Sequence, residues 1–134
     1  MKNRSLLREI IIKILYQVYL YQKNDIEYNL KDVINENIES ENDFVLSCVN
    51  GILSNEENIN TLANKYLKDW TIDRLSLVDK SILSLGIYEL IYTDTPSIVS
   101  INEAVELSKK YSDDSVIKMI NACLDKIYHN EKND

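Results

Sequence analysis

Residues 5–22 have the sequence SLLREIIIKILYQVYLYQ. Apolar residues in this stretch recur at steps of three and four, as they do in an α-helix with one buried face. The recurring residues are Leu7, Ile11, Ile14, Leu15, Val18 and Tyr19. Asn24 and Asp25 follow this stretch and are expected to end the helix and to cap the next one. The sequence therefore predicts a long amphipathic helix at the start of the chain.

The same periodicity continues along the 134 residues and predicts about seven helices in all. The other six are expected at about 26–38, 42–53, 54–67, 75–92, 100–108 and 113–127. Two Ser-x-x-Glu patterns fit capping boxes that would begin the fourth and sixth helices. They are Ser54 with Glu57 and Ser100 with Glu103. Pro96 predicts a turn before the sixth helix, because proline disfavours helical conformation in the residue before it.

Glycine and proline are scarce, since the chain has two glycines and one proline. Sandwiches, barrels and glycine-rich phosphate loops use more of these residues at their turns. With 45% hydrophobic and 28% charged residues, the composition is that of a globular domain. We therefore expect one all-α domain over 1–134. Its helices should form two packed sub-bundles, at about 1–54 and 55–134.

Charge is unevenly distributed along the chain, whose net charge is −7. Residues 1–23 carry five basic residues and one acidic residue, whereas residues 24–57 carry nine acidic residues and one lysine. The acidic total argues against unspecific binding of nucleic acid. The basic N-terminus leaves two interpretations open, a solvated helix face or a site for an anionic ligand.

The sequence has few of the residues that catalytic or metal sites require. His129 is the single histidine and lies near the end of the chain, and no glycine-rich phosphate motif occurs. Cys48 and Cys123 lie in apolar helical patterns without zinc-site spacing, so we expect buried, reduced thiols and a cytoplasmic protein. We expect no enzyme activity, no cofactor and no bound metal.

The apolar stretch near the N-terminus is interrupted by charged residues, so we expect neither a signal peptide nor a membrane span. Tyr16, Tyr19 and Tyr21 lie beside basic residues, and such rings can stack on unpaired RNA bases. Helical spacing instead favours a core position for Tyr19, with the other two at the edge of the core.

A set of motifs in the second half of the chain is distinctive. They are Trp70-Thr-Ile-Asp-Arg-Leu75, Val78-Asp-Lys-Ser-Ile-Leu83, Tyr88-Glu-Leu90, Ile101-Asn-Glu-Ala-Val-Glu-Leu107 and Leu124-Asp-Lys126. In these motifs the sequence resembles the NusB family of bacterial transcription antitermination factors. Arg8-Glu9 and Leu15-Tyr16-Gln17 are similar to the opening helix of that family. The resemblance covers most of the chain and is thinnest over residues 24–60.

The resemblance implies an all-helical, non-catalytic protein that pairs with NusE, a small-subunit ribosomal protein, and binds single-stranded boxA RNA. It also implies action with NusA and NusG at RNA polymerase, which then reads through terminators, chiefly in ribosomal RNA operons. The RNA-binding positions of the family correspond to Lys2, Arg4, Arg8, Lys118, Met119 and Asn121, and its NusE-binding positions to Tyr16 and Asp79. An acidic surface suits a basic ribosomal protein, because opposite charges speed encounter.

Two departures from the family pattern concern RNA binding. Ser5 and Leu6 interrupt the basic run at the N-terminus, and Met119 stands where the family has an aromatic residue. NusE would then supply much of the basic surface. The alternative is an acidic helical protein-interaction module without boxA binding. We do not expect the NusB-like front of an RNA cytosine methyltransferase, because 134 residues do not accommodate its catalytic domain.

Overall fold

The computed structural model describes residues 3–132, and within that range it contains seven α-helices and no strand. The helices are α1 (Arg4–Lys23), α2 (Leu30–Asn37), α3 (Asp43–Ser54), α4 (Glu56–Tyr66), α5 (Leu77–Tyr92), α6 (Ser97–Tyr111) and α7 (Asp114–Ile127). A short 3₁₀ helix (Ile72–Arg74) precedes α5, and a π-helical turn (Tyr128–Lys132) follows α7. The predicted all-α class and number of helices are confirmed.

Helix α5 lies at the centre of the fold and packs against α1, α3, α4, α6 and α7. Its buried residues occupy all sides of the helix, as is typical of a helix that is surrounded by neighbours. Gly86 allows α6 and α7 to approach closely, because a Cβ atom there would lie 3.0 Å from a methyl group of Leu124 and 3.2 Å from the Cβ atom of Ala104. The buried apolar residues of all seven helices form one continuous core.

Helix α1 buries the face that its sequence predicts. Leu7, Ile11, Ile14, Leu15, Val18 and Tyr19 are all buried, and the helix packs against α2, α3 and α5. Asn3 caps its start, where the side chain accepts a hydrogen bond from the Leu6 N–H at 3.0 Å. The predicted bounds of this helix are confirmed to within one residue.

Helix α2 begins later than the sequence pattern predicts. The expected start near residue 26 is wrong, because Asp25 adopts a left-handed conformation with φ of 53° and does not cap a helix. Asn29 caps α2 instead and accepts a hydrogen bond from the Asp32 N–H at 3.1 Å. The segment between Asn24 and Asn29 is therefore a loop.

Both predicted capping boxes are wrong. Ser54 is the last residue of α3, and Asn55 precedes α4 without forming a side-chain cap. Ser100 lies inside α6, which begins three residues earlier, after Pro96. The expected start of the last helix near residue 113 is confirmed, and Asp113 caps α7 by accepting a hydrogen bond from the Val116 N–H at 3.1 Å.

The two cysteines are buried and free, as the sequence predicts. Burial raises the pKa of both thiols to about 12, so neither is reactive at neutral pH. Across residues 3–132, no cluster of three or more His, Cys, Asp and Glu side chains is arranged to hold a metal ion. Each helix in the same range is too short or too polar to cross a membrane.

Candidate functional site

Arg8 lies inside the protein, where it joins α1 to α5. Its Nε donates to Glu89 Oε1 at 2.6 Å and its Nη2 donates to Glu89 Oε2 at 2.8 Å. The Arg8 and Glu89 side chains are only 4% and 2% exposed. Burial opposes a charge on Arg8, but the hydrogen bond and negative charge of Glu89, together with nearby Glu103, outweigh burial and raise the pKa of Arg8. The pair is thus a bidentate, buried ion pair.

Other polar groups extend this ion pair to the start of α6. Arg8 Nη1 lies 3.4 Å from Glu103 Oε1, which also accepts a hydrogen bond from Ser5 Oγ at 2.8 Å. Thr95 Oγ1 donates to Glu89 Oε2 at 3.1 Å. The guanidinium group of Arg8, which the resemblance assigns to RNA binding, is therefore enclosed among carboxylates. Glu103 serves the same network instead of capping a helix.

Arg4 is the exposed basic residue at this end of α1. Its guanidinium carbon lies 4.2 Å from the centroid of the Phe44 ring, which is a cation–π contact. The two side chains border a cleft of about 560 Å³ between the starts of α1 and α3 and the α5–α6 connection. We call it the N-terminal cleft; its walls include Arg4, Phe44, Ser47, Tyr88, Asp94 and Val99. Lys2, the other predicted basic residue here, lies outside the described residues.

The remaining predicted RNA-binding residues lie on α7. Lys118 and Asn121 are exposed and one turn apart, whereas Met119 is half-buried and packs against the core. Helix α7 packs mainly against α4, α5 and α6, while α1 packs mainly against α2, α3 and α5. The predicted RNA-binding set is therefore divided between two helices that have α5 as their shared neighbour.

Tyr16, a predicted partner-binding residue, is 38% exposed and borders a second cavity of about 330 Å³. We call this cavity the α1–α2 groove; it is lined by Ile12, Lys13, Tyr16, Gln17, Asn37, Val78 and Tyr111. At its edge, Asn37 Nδ2 donates to Gln17 Oε1 at 2.8 Å and so joins α2 to α1. The groove offers an apolar floor with polar groups at its edge.

Asp79, the other predicted partner-binding residue, is only 8% exposed. Its carboxylate accepts a short hydrogen bond from the Ser112 hydroxyl, which fixes the start of α5 against the end of α6. Its backbone N–H donates to Ser76 Oγ at 3.1 Å. Asp79, which the resemblance assigns to the NusE contact, is therefore largely enclosed at the junction of α5 and α6. Its neighbour Val78 lines the α1–α2 groove.

Acidic side chains cover the surface beside the groove. The exposed ones on α2 and in its flanking segments are Asp25, Glu27, Asp32, Glu36, Glu39, Glu41 and Asp43. Helix α2 also supplies Asn37 to the groove itself. An apolar groove is therefore bordered by a strongly acidic surface, which is an arrangement suited to a basic protein with an apolar anchor.

A surface cluster fixes the far side of the groove. Lys110 Nζ lies 3.1 Å and 3.0 Å from the two carboxylate oxygens of Glu9, and the Tyr111 hydroxyl donates a short hydrogen bond to the same carboxylate. The hydrogen bonds from Tyr111 and Lys110 lower the pKa of Glu9. Because Tyr111 lines the groove, this cluster sets the position of one wall.

Comparison with known proteins shows the family of this chain. The family model described as "NusB family" matches residues 5–129. The chain belongs to the NusB family. Transcription antitermination protein NusB of Campylobacter jejuni (strain RM1221) is 39% identical to this chain over 134 residues, which cover 98% of this chain and 100% of the relative.

Solved NusB structures share the fold. NusB of T. maritima matches with a TM-score of 0.82 and 30% identity, covering 96% of this chain and 92% of that one. A structure of the antitermination factors NusB and NusE in complex with double-stranded RNA matches with a TM-score of 0.80 and 26% identity, covering 94% and 96% of the two chains. The NusB-like fold expected from the sequence is confirmed.

The sequence alone does not single out Glu89, Phe44 and Asp94 as site residues. Glu89 carries a local signal, because it stands in an apolar helical pattern where a single carboxylate needs a buried partner. Phe44 and Asp94 carry none, since only the packing of α3 and of the α5–α6 connection brings them to Arg4. Their place in the N-terminal cleft is a property of the tertiary structure.

Proposed function

We propose that this protein is an RNA-binding transcription antitermination factor that acts as a pair with a NusE-type small-subunit ribosomal protein. The observation that carries the proposal is the position of Arg4 at the mouth of the N-terminal cleft. Within residues 3–132, its guanidinium group forms no ion pair with a carboxylate, in contrast to Arg8. An exposed, unpaired guanidinium group is suited to an RNA phosphate. The related NusB chain that was solved with NusE and RNA supports this assignment.

The proposed RNA is a single-stranded boxA-type element. Arg4 and the neighbouring Lys2 would contact its phosphates, and Lys118 and Asn121 would contact it on α7. Met119, whose side chain packs against the core, would contribute at most its exposed edge. Arg8 acts indirectly in this proposal, because its ion pair with Glu89 fixes the helix that carries Arg4.

The proposed site for the NusE-type partner is the α1–α2 groove together with the acidic surface beside it. Tyr16 supplies an exposed aromatic contact, which is typical of the centre of a protein interface. The acidic side chains of α2 would attract the basic ribosomal protein. The assembly would act in the cytoplasm with NusA and NusG at RNA polymerase, chiefly on ribosomal RNA operons, where it would allow read-through of terminators. The protein has no catalytic role in this proposal.

Binding measurements test this function directly. Fluorescently labelled boxA RNA and a scrambled RNA of the same composition are titrated with the protein, with and without the NusE-type partner. We expect the protein–partner complex to bind boxA RNA more tightly than scrambled RNA. If adding the partner produces no preference for boxA, the proposed RNA-binding function is wrong.

A second candidate function is an acidic helical interaction module that does not bind boxA. Two observations favour it: the Arg8 side chain is buried in an ion pair with Glu89, and the exposed surface of α2 is strongly acidic. This alternative predicts tight binding of the basic partner and equally weak binding of boxA and scrambled RNA. The same titration, combined with calorimetry of the partner alone, separates the two functions.

A further inference from the structure

The N-terminal cleft has the size and the mixed lining of a small-ligand site. Its volume of about 560 Å³ lies within the range of about 300–1,000 Å³ that is usual for such pockets. The buried parts of its wall come from Cys48 and Arg8, whose thiol and guanidinium groups are enclosed by other residues. The groups that face an incoming molecule are therefore those of the exposed and half-buried lining residues.

Two of these residues form a flat platform. The Arg4 guanidinium group stands over the half-buried Phe44 ring at 4.2 Å. Unpaired RNA bases stack on aromatic rings and on guanidinium planes. Because Arg4 covers a face of the Phe44 ring, a base would stack on the outer side of the Arg4 guanidinium group, which Phe44 holds in place.

Polar groups line the rest of the cleft. Asp94, in the α5–α6 connection, is exposed and contributes a carboxylate to the wall, and Ser47 on α3 is also exposed. An ionised carboxylate only accepts hydrogen bonds, so it favours a base edge that donates them. The same negative charge repels a phosphate group from the interior of the cleft. A nucleotide would therefore place its base inside and its phosphate outside, at Arg4.

We propose that the N-terminal cleft holds one unpaired base of the bound RNA, stacked against Arg4 and Phe44 with its edge toward Asp94. This inference rests on the proposed RNA-binding function and adds a base-specific contact to it. The carboxylate of Asp94 favours guanine, whose N1–H and N2 amino group can both donate to it, over uracil, which can donate only through N3–H. Phe44 and Asp94 are thus residues that determine which RNA is bound.

The test uses RNAs that lack a single base. A set of boxA-type oligonucleotides, each with one abasic position, is titrated against the protein in complex with its NusE-type partner. Phe44→Leu removes the ring but retains apolar bulk, and Tyr28→Leu, a change at an exposed aromatic residue in the loop before α2, is the matched control. Circular dichroism and thermal unfolding establish that both variants are folded.

One abasic position should weaken binding by the wild type roughly tenfold, because stacking of one base is usually worth about that much. The Phe44→Leu variant should bind this abasic RNA and the intact RNA with equal affinity, since the variant has already lost the stacking contact. Tyr28→Leu should behave like the wild type. At the same RNA position, uracil should weaken binding by the wild type but not by Asp94→Ala.

Three results overturn the inference, and each has a distinct meaning. If each abasic RNA loses as much affinity for Phe44→Leu as it loses for the wild type, RNA binds without a base in the cleft. If the wild-type complex fails to bind any RNA, the proposed function itself is wrong. The third result is that guanosine or cytidine monophosphate binds the wild type but not Phe44→Leu, while no abasic position has an effect that depends on Phe44. In that case the cleft is a site for free nucleotides.

Discussion

The buried ion pair between Arg8 and Glu89 should be a main determinant of stability. Removing one partner of a buried pair leaves an uncompensated charge, which typically costs about 3–5 kcal/mol of unfolding free energy. In Glu89→Leu, the Arg8 guanidinium group keeps its ion pair with Glu103 at 3.4 Å. We therefore expect a loss of unfolding free energy at the lower end of this range, about 3 kcal/mol. Arg8→Met leaves the Glu89 carboxylate with the Thr95 hydroxyl as its one remaining partner among residues 3–132, so we expect a larger loss of about 4 kcal/mol.

The double variant Arg8→Met/Glu89→Leu separates charge from packing. Replacing both charges by apolar groups of similar volume is often close to neutral, so the double variant should lie within about 2 kcal/mol of the wild type. Urea unfolding monitored by circular dichroism gives the free energy of unfolding of the wild type, the two single variants and the double variant. For a chain of 134 residues, a loss of about 3 kcal/mol corresponds to a fall in Tm of about 11 °C.

The exposed pair between Lys109 and Glu106 provides the control. Their side chains are 58% and 67% exposed, and Glu106→Gln should change the free energy of unfolding by less than about 0.5 kcal/mol. If Glu89→Leu costs no more than this control, the buried pair does not stabilise the fold. If the double variant loses the sum of the two single losses, the effect comes from packing and the argument from charge is wrong.

Three further predictions concern the groove, the cleft and the dependence of stability on pH. Tyr16→Asp should weaken binding of the NusE-type partner at least tenfold in calorimetry, because it places a charge in the apolar groove. Gly51→Ala should cost about 1–3 kcal/mol in urea unfolding, because its Cβ atom would overlap the Tyr88 ring. The lowered pKa of Glu9 means that its carboxylate stabilises the fold above its ordinary pKa of 4.5, and that this contribution is lost as pH falls through the lowered value. Glu9→Gln should therefore be less stable than the wild type at pH 7, with the difference vanishing in acid.

Different results would contradict each of these three predictions. Unchanged partner affinity in Tyr16→Asp would remove the groove from the proposed interface. A fully stable Gly51→Ala would show that the Tyr88 ring moves aside without loss of packing. A stability difference for Glu9→Gln that is the same at pH 3 and pH 7 would show that the Glu9 charge does not stabilise the fold.

Helical periodicity predicted the fold well because it reflects burial. The buried residues of α1 are the ones that the spacing selects, and the cap at Asp113 follows from its side-chain oxygen and its place before an apolar pattern. The capping patterns at Ser54 and Ser100 were misleading, because a Ser-x-x-Glu match does not determine where the backbone leaves the helix. Pro96 determines the start of α6 instead.

The position of Arg8 could have been predicted from the same periodicity. Arg8 precedes Ile12, Leu15 and Tyr19 by four, seven and eleven residues, so it shares their buried face. A buried arginine requires a carboxylate, and Glu89 stands in an equally apolar pattern on α5. Local sequence could not predict that the two meet, because their contact depends on how α1 crosses α5.

The salt dependence of boxA binding tests the central claim, that Arg4 and the N-terminal cleft form the RNA-binding face. In complex with the NusE-type partner, log K should fall with log salt, and Arg4→Glu should weaken binding and reduce the slope by about 0.7 for the lost phosphate contact. Lys68→Glu, the same charge change at an exposed position in the connection after α4, should leave the slope unchanged. Equal effects of the two substitutions would show that only overall charge matters and would contradict the account.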